Sequence, residues 1–589
     1  MLRTTCLALV LPLLACGDSG QDSASESSAT TQATLPPPGM TGTTTTTPTS
    51  TGTDATDGTA SASMGETVDP DTGPVPTTDV VTSAGSATEL PPDTSTSSGT
   101  TTGVDTGTTA DPSVGDTSTT EPIDVCKVHE DMEISDCAVV APPNSFEPEI
   151  QWTWTGVQEP YSIVTPLVAN LTDDNGDGAI DLCDVPDVVV VASISSGFPD
   201  TVGHIYVLDG ATGTLHFQIA TAVDHTVTPA IGDIDADGLP EIVTSIVGGN
   251  PVAFEHDGAM KWQSATGWPE AYSGALALAD ADNDGDVEIL AGNRLYDHLG
   301  AHLFTAPQSA GNWSASAFAD LDGDGDQEIV LGHAAYHHDG APLYVTGVFP
   351  GYPSIANLDA DPEPEVLVTN QNGLALIDHD GTVQYQNMRP TGDPPSATTW
   401  LRPSTVHDFD GDGPAEFATS SANNYTVYKP TGPTIVWKTP VSDQSGIAAG
   451  TAFDFLGDGV AEAMYADEHF MHIFGATGEV LLKIPRTSGT LSEYPIVADI
   501  DNDGSAEIVV VSCQLHPNPV SSPTVQVIRD KEDRWIQARR IWNQHTYHVT
   551  NVREDGTIPQ FEKPSWKALN TYRTNSQIEG GAVCDPKPQ

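Results

Sequence analysis

One nine-residue pattern, Asp-x-Asp-x-Asp-Gly-x-x-Glu running into an apolar stretch, recurs eight times and limits the fold more than any other feature. The copies begin at Asp173, Asp233, Asp280, Asp320, Asn357, Asp408, Asp454 and Asp499, 37 to 60 residues apart. Small apolar runs such as Ala317-Phe318-Ala319 and Ile496-Val497-Ala498 precede most copies, and β-branched runs such as Val509-Val510-Val511 follow. Asp209-Gly210, Asp257-Gly258, Asp339-Gly340 and Asp380-Gly381 then supply the positive φ angles of tight hairpins. No long stretch holds a helical period, so the chain reads as all-β. Repeats of roughly 40–50 residues with about four strands each are the mark of a β-propeller. One such sheet cannot bury both faces alone, whereas a ring of seven to eight blades does so. The outer-strand segment Glu147–Trp154 is placed to pair with the last unit and close that ring.

The loops themselves predict a metal. Alternate residues of a tightly curled loop point inward, glycine at the sixth position permits the turn, and hard Ca²⁺ takes six to eight oxygens. In the fourth copy Asp320, Asp322, Asp324 and Glu328 supply them. The matching sets are Asp233, Asp235, Asp237 and Glu241; Asp280, Asp282, Asp284 and Glu288; Asp408, Asp410, Asp412 and Glu416; and Asp499, Asp501, Asp503 and Glu507. The first copy offers Asp173, Asn175, Asp177 and Asp181. The fifth has Asn357, Asp359, Asp361 and Glu365, with Pro362 in place of the glycine. The seventh keeps Asp454, Asp458 and Glu462 but has Leu456 at its third position, which predicts a weak or empty site. Carboxylates this close repel one another without a cation, so up to eight Ca²⁺ ions are expected.

EF-hands share the spacing but need flanking helices and an acid at the twelfth position. That position holds Thr244, Ala291 and Leu331 in the second to fourth copies, and only the first has an acid there, Asp184. The loops with their strands, as in Asp499-Ile500-Asp501-Asn502-Asp503-Gly504-Ser505-Ala506-Glu507-Ile508-Val509, resemble FG-GAP/VCBS repeats. The resemblance spans roughly residues 145–530. It implies the calcium-binding propeller blades of integrin α-chains and of many bacterial surface proteins, a scaffold that serves many functions.

The N-terminus reads as an export signal, with Arg3 followed by an apolar core from Leu7 to Leu14. Leu13-Leu14-Ala15-Cys16 resembles the bacterial lipobox, which implies cleavage after residue 15 and diacylation of Cys16. Gly17 rather than aspartate after it leans toward the outer membrane, which gives a lipid-anchored, surface-exposed envelope protein. Residues 16–122 hold no aromatic residue, lysine or arginine, and are dominated by Thr, Ser, Gly, Pro and Asp. Such a segment cannot bury enough apolar surface to order itself and is expected to be a disordered stalk. The propeller is assigned to 123–530 and a blade-closing or capping segment to 531–589. With 82 acidic against 20 basic residues and a net charge of −62, nucleic acid is excluded as a partner.

Ten of the twenty basic residues lie between Arg529 and Lys587. The run from Arg534 to His545 serves either as a glycan-stacking surface or, as preferred here, as a structural seal for the last blade. Cys126–Cys137 is the cheapest local disulfide and Cys513–Cys584 would tie the tail back. With Cys183 the count is odd, and connectivity is not readable from sequence. No nucleophile elbow, zinc motif, nucleotide loop or CxxC motif occurs. The reading is a surface-displayed adhesion or binding propeller whose ligand is a glycan or a surface protein. A polysaccharide lyase of the rhamnogalacturonan type, working through Arg539, Arg540, His545 and one Ca²⁺, is the runner-up, and a structural envelope protein without ligand is the third.

Overall fold

The computed structural model describes residues 124, 126–128, 134–196, 201–514 and 522–587. The signal segment, Cys16 and the stalk of residues 16–122 lie outside them. All that follows concerns the compact unit Gly115–Gln589. It is all-β: among the described residues the one α-helix is the four-residue Ser565–Ala568.

Each repeat forms one antiparallel sheet. Seven such sheets carry four strands, and the first, begun by Leu167–Ala169, carries a fifth. The acidic loop joins the innermost strand to the second, and its final acid sits opposite the innermost strand's last residue. Ala498 pairs with Glu507, Ala319 with Glu328 and Ala279 with Glu288. Burial falls outward through each sheet. Glu462–Ala466 is buried at every position, whereas the outermost strand Val480–Pro485 alternates between exposed and half-buried. That gradient explains why the second strands are short β-branched or aromatic runs and the fourth strands alternate.

Most successive innermost strands touch, and Thr228, Ala275 and Ala315 are linked in series by isolated parallel bridges. The eighth sheet in turn lies beside the first. Val164 bridges Ser492, Ser492 donates its N–H to the Ile163 carbonyl at 3.1 Å, and Thr165 Oγ1 donates to the Ser492 carbonyl at 3.1 Å. Pro148–Trp154 supplies the outermost strand of the eighth sheet, pairing with Val525–Asp530. The fold is propeller-like.

A repeated interlock joins neighbours. Near the start of each fourth strand the register slips by one residue. Beyond the slip an aromatic side chain packs on the hairpin glycine of the next sheet. Trp262 covers Gly300 and bonds the His298 carbonyl, Tyr344 covers Gly381, and Trp437 covers Gly478. A Cβ at Gly300 would lie 2.4 Å from the Trp262 ring, and its φ of 77° belongs to glycine in any case.

The C-terminal segment fills the middle. Trp542 bridges Val168, Ile231 N–H bonds the Asn543 carbonyl at 2.8 Å, and Leu278 N–H bonds Gln544 Oε1 at 2.9 Å. Arg573 Nη1 reaches Ser354 Oγ and the Ser404 carbonyl at 2.8 Å, Thr451 Oγ1 bonds the Arg573 carbonyl at 2.7 Å, and Asn575 Nδ2 bonds the Val497 carbonyl at 2.8 Å. These partners belong to, or directly precede, the innermost strands of seven different sheets. The last sheet is therefore completed by Pro148–Trp154, and the tail is an internal filling.

The expected disulfides are corrected to Cys126–Cys183 and Cys137–Cys584. The short strand Ser135–Asp136 runs parallel to Ala582–Asp585 and sets Ser135 beside Cys584, which delivers Cys137 to it. Cys513 stays a buried thiol whose sulfur accepts the Gly489 N–H.

Candidate metal centres and surface groove

The acidic loops are built by their own hydrogen bonds. The first-position carboxylate accepts the N–H groups of later loop residues. Asp233 takes Asp237 and Gly238 at 3.1 and 3.0 Å, and Asp280 takes Asp284 and Gly285 at 3.1 and 2.8 Å. Gly238 and Gly285 make the turn at φ of 92° and 96°. The ninth-position glutamate is held in seven loops by one bond from the second residue's N–H. Its donors are Ile234, Ala281, Leu321, Leu358, Phe409, Phe455 and Ile500, at 2.6 to 3.1 Å. One oxygen of each glutamate is thus spent on the backbone, and the other is left for a further partner.

The electrostatic consequence is strong. Burial, reinforced by Asp282, Asp280 and Asp284, pushes Glu288 up to about 8. Burial with Asp359 and Asp361 does the same to Glu365, also to about 8. Burial raises Glu416 to about 7 and Asp280 to about 6. In the eighth loop burial and the neighbouring aspartates raise Glu507 well above the carboxylate range. There Asp499 Oδ1 and Glu507 Oε1 are buried without a hydrogen-bond partner. Two orphaned oxygens facing clustered acids form a donor set that fits a hard dication.

Three loops depart from the expected sets. In the first, Ala169 pairs with Asp187, and Asp187 Oδ2 accepts the Leu171 N–H at 2.9 Å. Asp187, not Asp181, therefore holds the ninth-position place, and Asn170 holds the first. Asp173, Asn175 and Asp177 sit on an insertion backed by the buried Asp184, which accepts N–H bonds from Asp174, Asn175 and Asp181. Burial pushes Asp187 up to about 8. The signal was legible, since Asp187 heads the run Val188-Val189-Val190-Val191 just as Glu507 heads Ile508-Val509. In the fifth loop Asn357 donates its amide N–H to the Asp361 carbonyl at 2.6 Å, closing the Pro362 turn from within. In the seventh, the Leu456 carbonyl accepts Ala141 N–H at 2.8 Å, so an N-terminal segment docks on the loop that lacks its third acid.

The basic C-terminal cluster is interior. Arg539 donates to Tyr547 Oη and the Val549 carbonyl, and Arg540 pairs with Glu554 at 2.8 Å. His545 is buried and stacks on Tyr352, with burial and Arg573 holding it well below the usual imidazole range. Trp535 and Trp542 are buried as well. Neither glycan stacking on these rings nor a lyase cleft built from Arg539, Arg540 and His545 fits this placement; the structural reading of the segment does. His337 has Nδ1 3.0 Å from Glu328 Oε1 in the fourth loop.

An open groove of about 300 Å³ lies between the eighth and first sheets. Trp154 and Tyr206 line it with ring centroids 5.1 Å apart. Glu159 accepts the Tyr206 hydroxyl at 2.7 Å and lies 2.9 Å from His204 Nδ1. Gln158 and Gln218 stand exposed at its rim. Sequence reasoning missed it because its members are separated by up to 64 residues and no motif joins them.

Neither a protein-family model nor a curated protein matches this sequence. Among solved structures, the biofilm matrix protein Bap1 of V. cholerae is similar over 75% of this chain and 100% of its own, with a TM-score of 0.64 and 22% identity. The rhamnogalacturonan lyase PL11 of Bacillus licheniformis overlaps 74% of this chain and 83% of its own at a TM-score of 0.45 and 16% identity. BamB of Moraxella catarrhalis overlaps 67% of this chain and 99% of its own at a TM-score of 0.38 and 11% identity. At these identities the likeness to Bap1 is one of fold.

Proposed function

We propose that this chain is an FG-GAP/VCBS-type propeller of eight calcium-stabilised blades, carried on a lipid-anchored stalk at the cell envelope, and that it binds an extracellular polymer. Eight sheets, the contact between the eighth and the first, and the oxygen-lined loops support the ring and its metal. The observation that carries binding over catalysis is the filled centre. With residues 542–544 and 573–575 meeting the innermost strands of seven sheets, a path along the axis is closed to a ligand.

The groove at Trp154 is the best-equipped of these. An aromatic face, a carboxylate already held by a histidine and a tyrosine, and exposed amides match the apolar faces and hydroxyls of a sugar. A biofilm matrix protein of similar fold agrees with a matrix role. Glycan-array binding by the purified chain, with Trp154→Ala as comparison, tests the reading. Saturable binding that Trp154→Ala weakens at least tenfold is expected, and no binding to any glycan or matrix polymer overturns it.

A second reading rests on the same groove. Glu159, His204 and Tyr206 form an acid–base cluster open to solvent, as a polysaccharide lyase requires. Appearance of unsaturated-uronate absorbance with pectic polymers, lost in His204→Ala, would establish it.

A further inference from the structure

The eight acidic loops are not alike in what balances their charge. In the second, Lys261 Nζ lies 2.6 Å from Asp235 Oδ2, 2.9 Å from Glu241 Oε1 and 3.1 Å from Glu255 Oε2. In the sixth, Lys429 Nζ lies 2.8 Å from Asp410 Oδ2, 2.6 Å from Asp412 Oδ2 and 2.5 Å from Glu416 Oε1. The two lysines come from different strands. Lys261 is the register-slip residue of an outermost strand, between Met260 and Trp262, whereas Lys429 ends the third strand Asn424–Lys429. Two independent substitutions thus bring an ammonium to the same place.

That place is where a bound cation would draw its ligands. The Lys261 ammonium takes the one Glu241 oxygen that the Ile234 N–H leaves open, and Lys429 does the same to Glu416 beside Phe409. Both oxygens of the ninth-position acid are then engaged, and a dication entering the loop would meet a positive charge already bonded to two or three of its ligands.

The eighth loop is the opposite case. Among the described residues no lysine or arginine forms an ion pair with Asp499, Asp501, Asp503 or Glu507. Gln537 and Gln151 donate neutral amide bonds to Asp499 and Asp501, and Asp499 Oδ1 and Glu507 Oε1 have no hydrogen-bond partner.

We infer that Lys261 and Lys429 are built-in counter-ions which replace calcium in the second and sixth loops, while the eighth loop is a true cation site. The inference rests on the proposed calcium-bearing loops and divides them into two kinds. At most six of the eight then take the ion. A ring neutralised in this mixed way keeps part of its rigidity when the metal is withdrawn.

Calcium bound to the full chain after equilibrium dialysis, counted by elemental analysis, tests this. Asp501→Asn is expected to lower the count by one, and Asp235→Asn and Asp410→Asn to leave it unchanged. Lys261→Met and Lys429→Met are expected to raise it by one each, with Lys261→Arg as the charge-preserving control that does not. Loss of an ion in Asp235→Asn or Asp410→Asn, or seven or eight ions in the unmodified chain, overturns the inference and leaves the calcium reading standing. No bound calcium at all overturns both. Because the aspartate variants keep each lysine in place, the test survives a lysine variant that does not fold.

Discussion

Trp152 lies over Gly213, with its indole N–H donated to the Gly210 carbonyl at 2.7 Å. The first residue belongs to the eighth sheet and the second to the hairpin of the first. The contact repeats, across the seam between the two ends of the repeat array, the interlock that Trp262 and Gly300 make within it.

Trp152→Ala removes a mostly buried indole from that seam, and truncations of this kind cost about 3–5 kcal/mol. The variant is expected to unfold at a clearly lower temperature and denaturant midpoint. Equal midpoints for variant and parent would show that the seam is already secure without this ring.

Cys137–Cys584 spans 447 residues of sequence. Removing it in the Cys137→Ser/Cys584→Ser double variant is expected to destabilise by about 2–5 kcal/mol. Calorimetry of the variant against the oxidised parent checks it. A loss below about 1 kcal/mol would mean that the tail is held by its polar contacts alone.

Arg573 donates to the carbonyls of Pro353, Ser404 and His545 in full burial. Arg573→Met takes its donor from the Pro353 carbonyl and leaves the Ser404 and His545 carbonyls with only the Ser354 and Tyr494 hydroxyls, a change of about 1–3 kcal/mol by ordinary desolvation costs. Loss of stability with innermost-strand amides newly open to hydrogen exchange is the expected signature.

The loop carboxylates set a pH dependence whose sign is definite. Glu288 and Glu365, near 8, hold protons in the folded metal-free chain that they lack when unfolded. A folded pKa raised above its unfolded value gives stability that is full below the unfolded value and lost as pH rises through the folded one. In chelator, the melting temperature should therefore fall from about pH 5 to pH 8. Millimolar calcium should flatten that slope, and Glu288→Gln should reduce it without calcium. A flat profile in chelator would contradict the burial of these acids.

Much of this architecture was legible beforehand because it is periodic. Acidic loops that run straight into apolar second strands recur along the chain, and the strand Pro148–Trp154 completes the eighth sheet as its outer-strand character suggested. What escaped depended on contacts without a period. Asp187 was hidden by an insertion that displaced the motif from its own anchor. The Cys137–Cys584 pair follows from one parallel strand contact, Ser135 with Cys584, that no spacing records. The Arg539–His545 run looked like a surface because it is polar, and its two arginines are buried because carbonyls, Glu554 and the Tyr547 hydroxyl accept from them.

The stretch that packs against seven sheets follows all of them in chain order. In synthesis the strands of all eight sheets therefore precede the stretch that fills the space between them. Completion of the interior is then a checkpoint on synthesis itself. A product cut short before it would lack the polar contacts that join seven of the eight sheets at their inner edges.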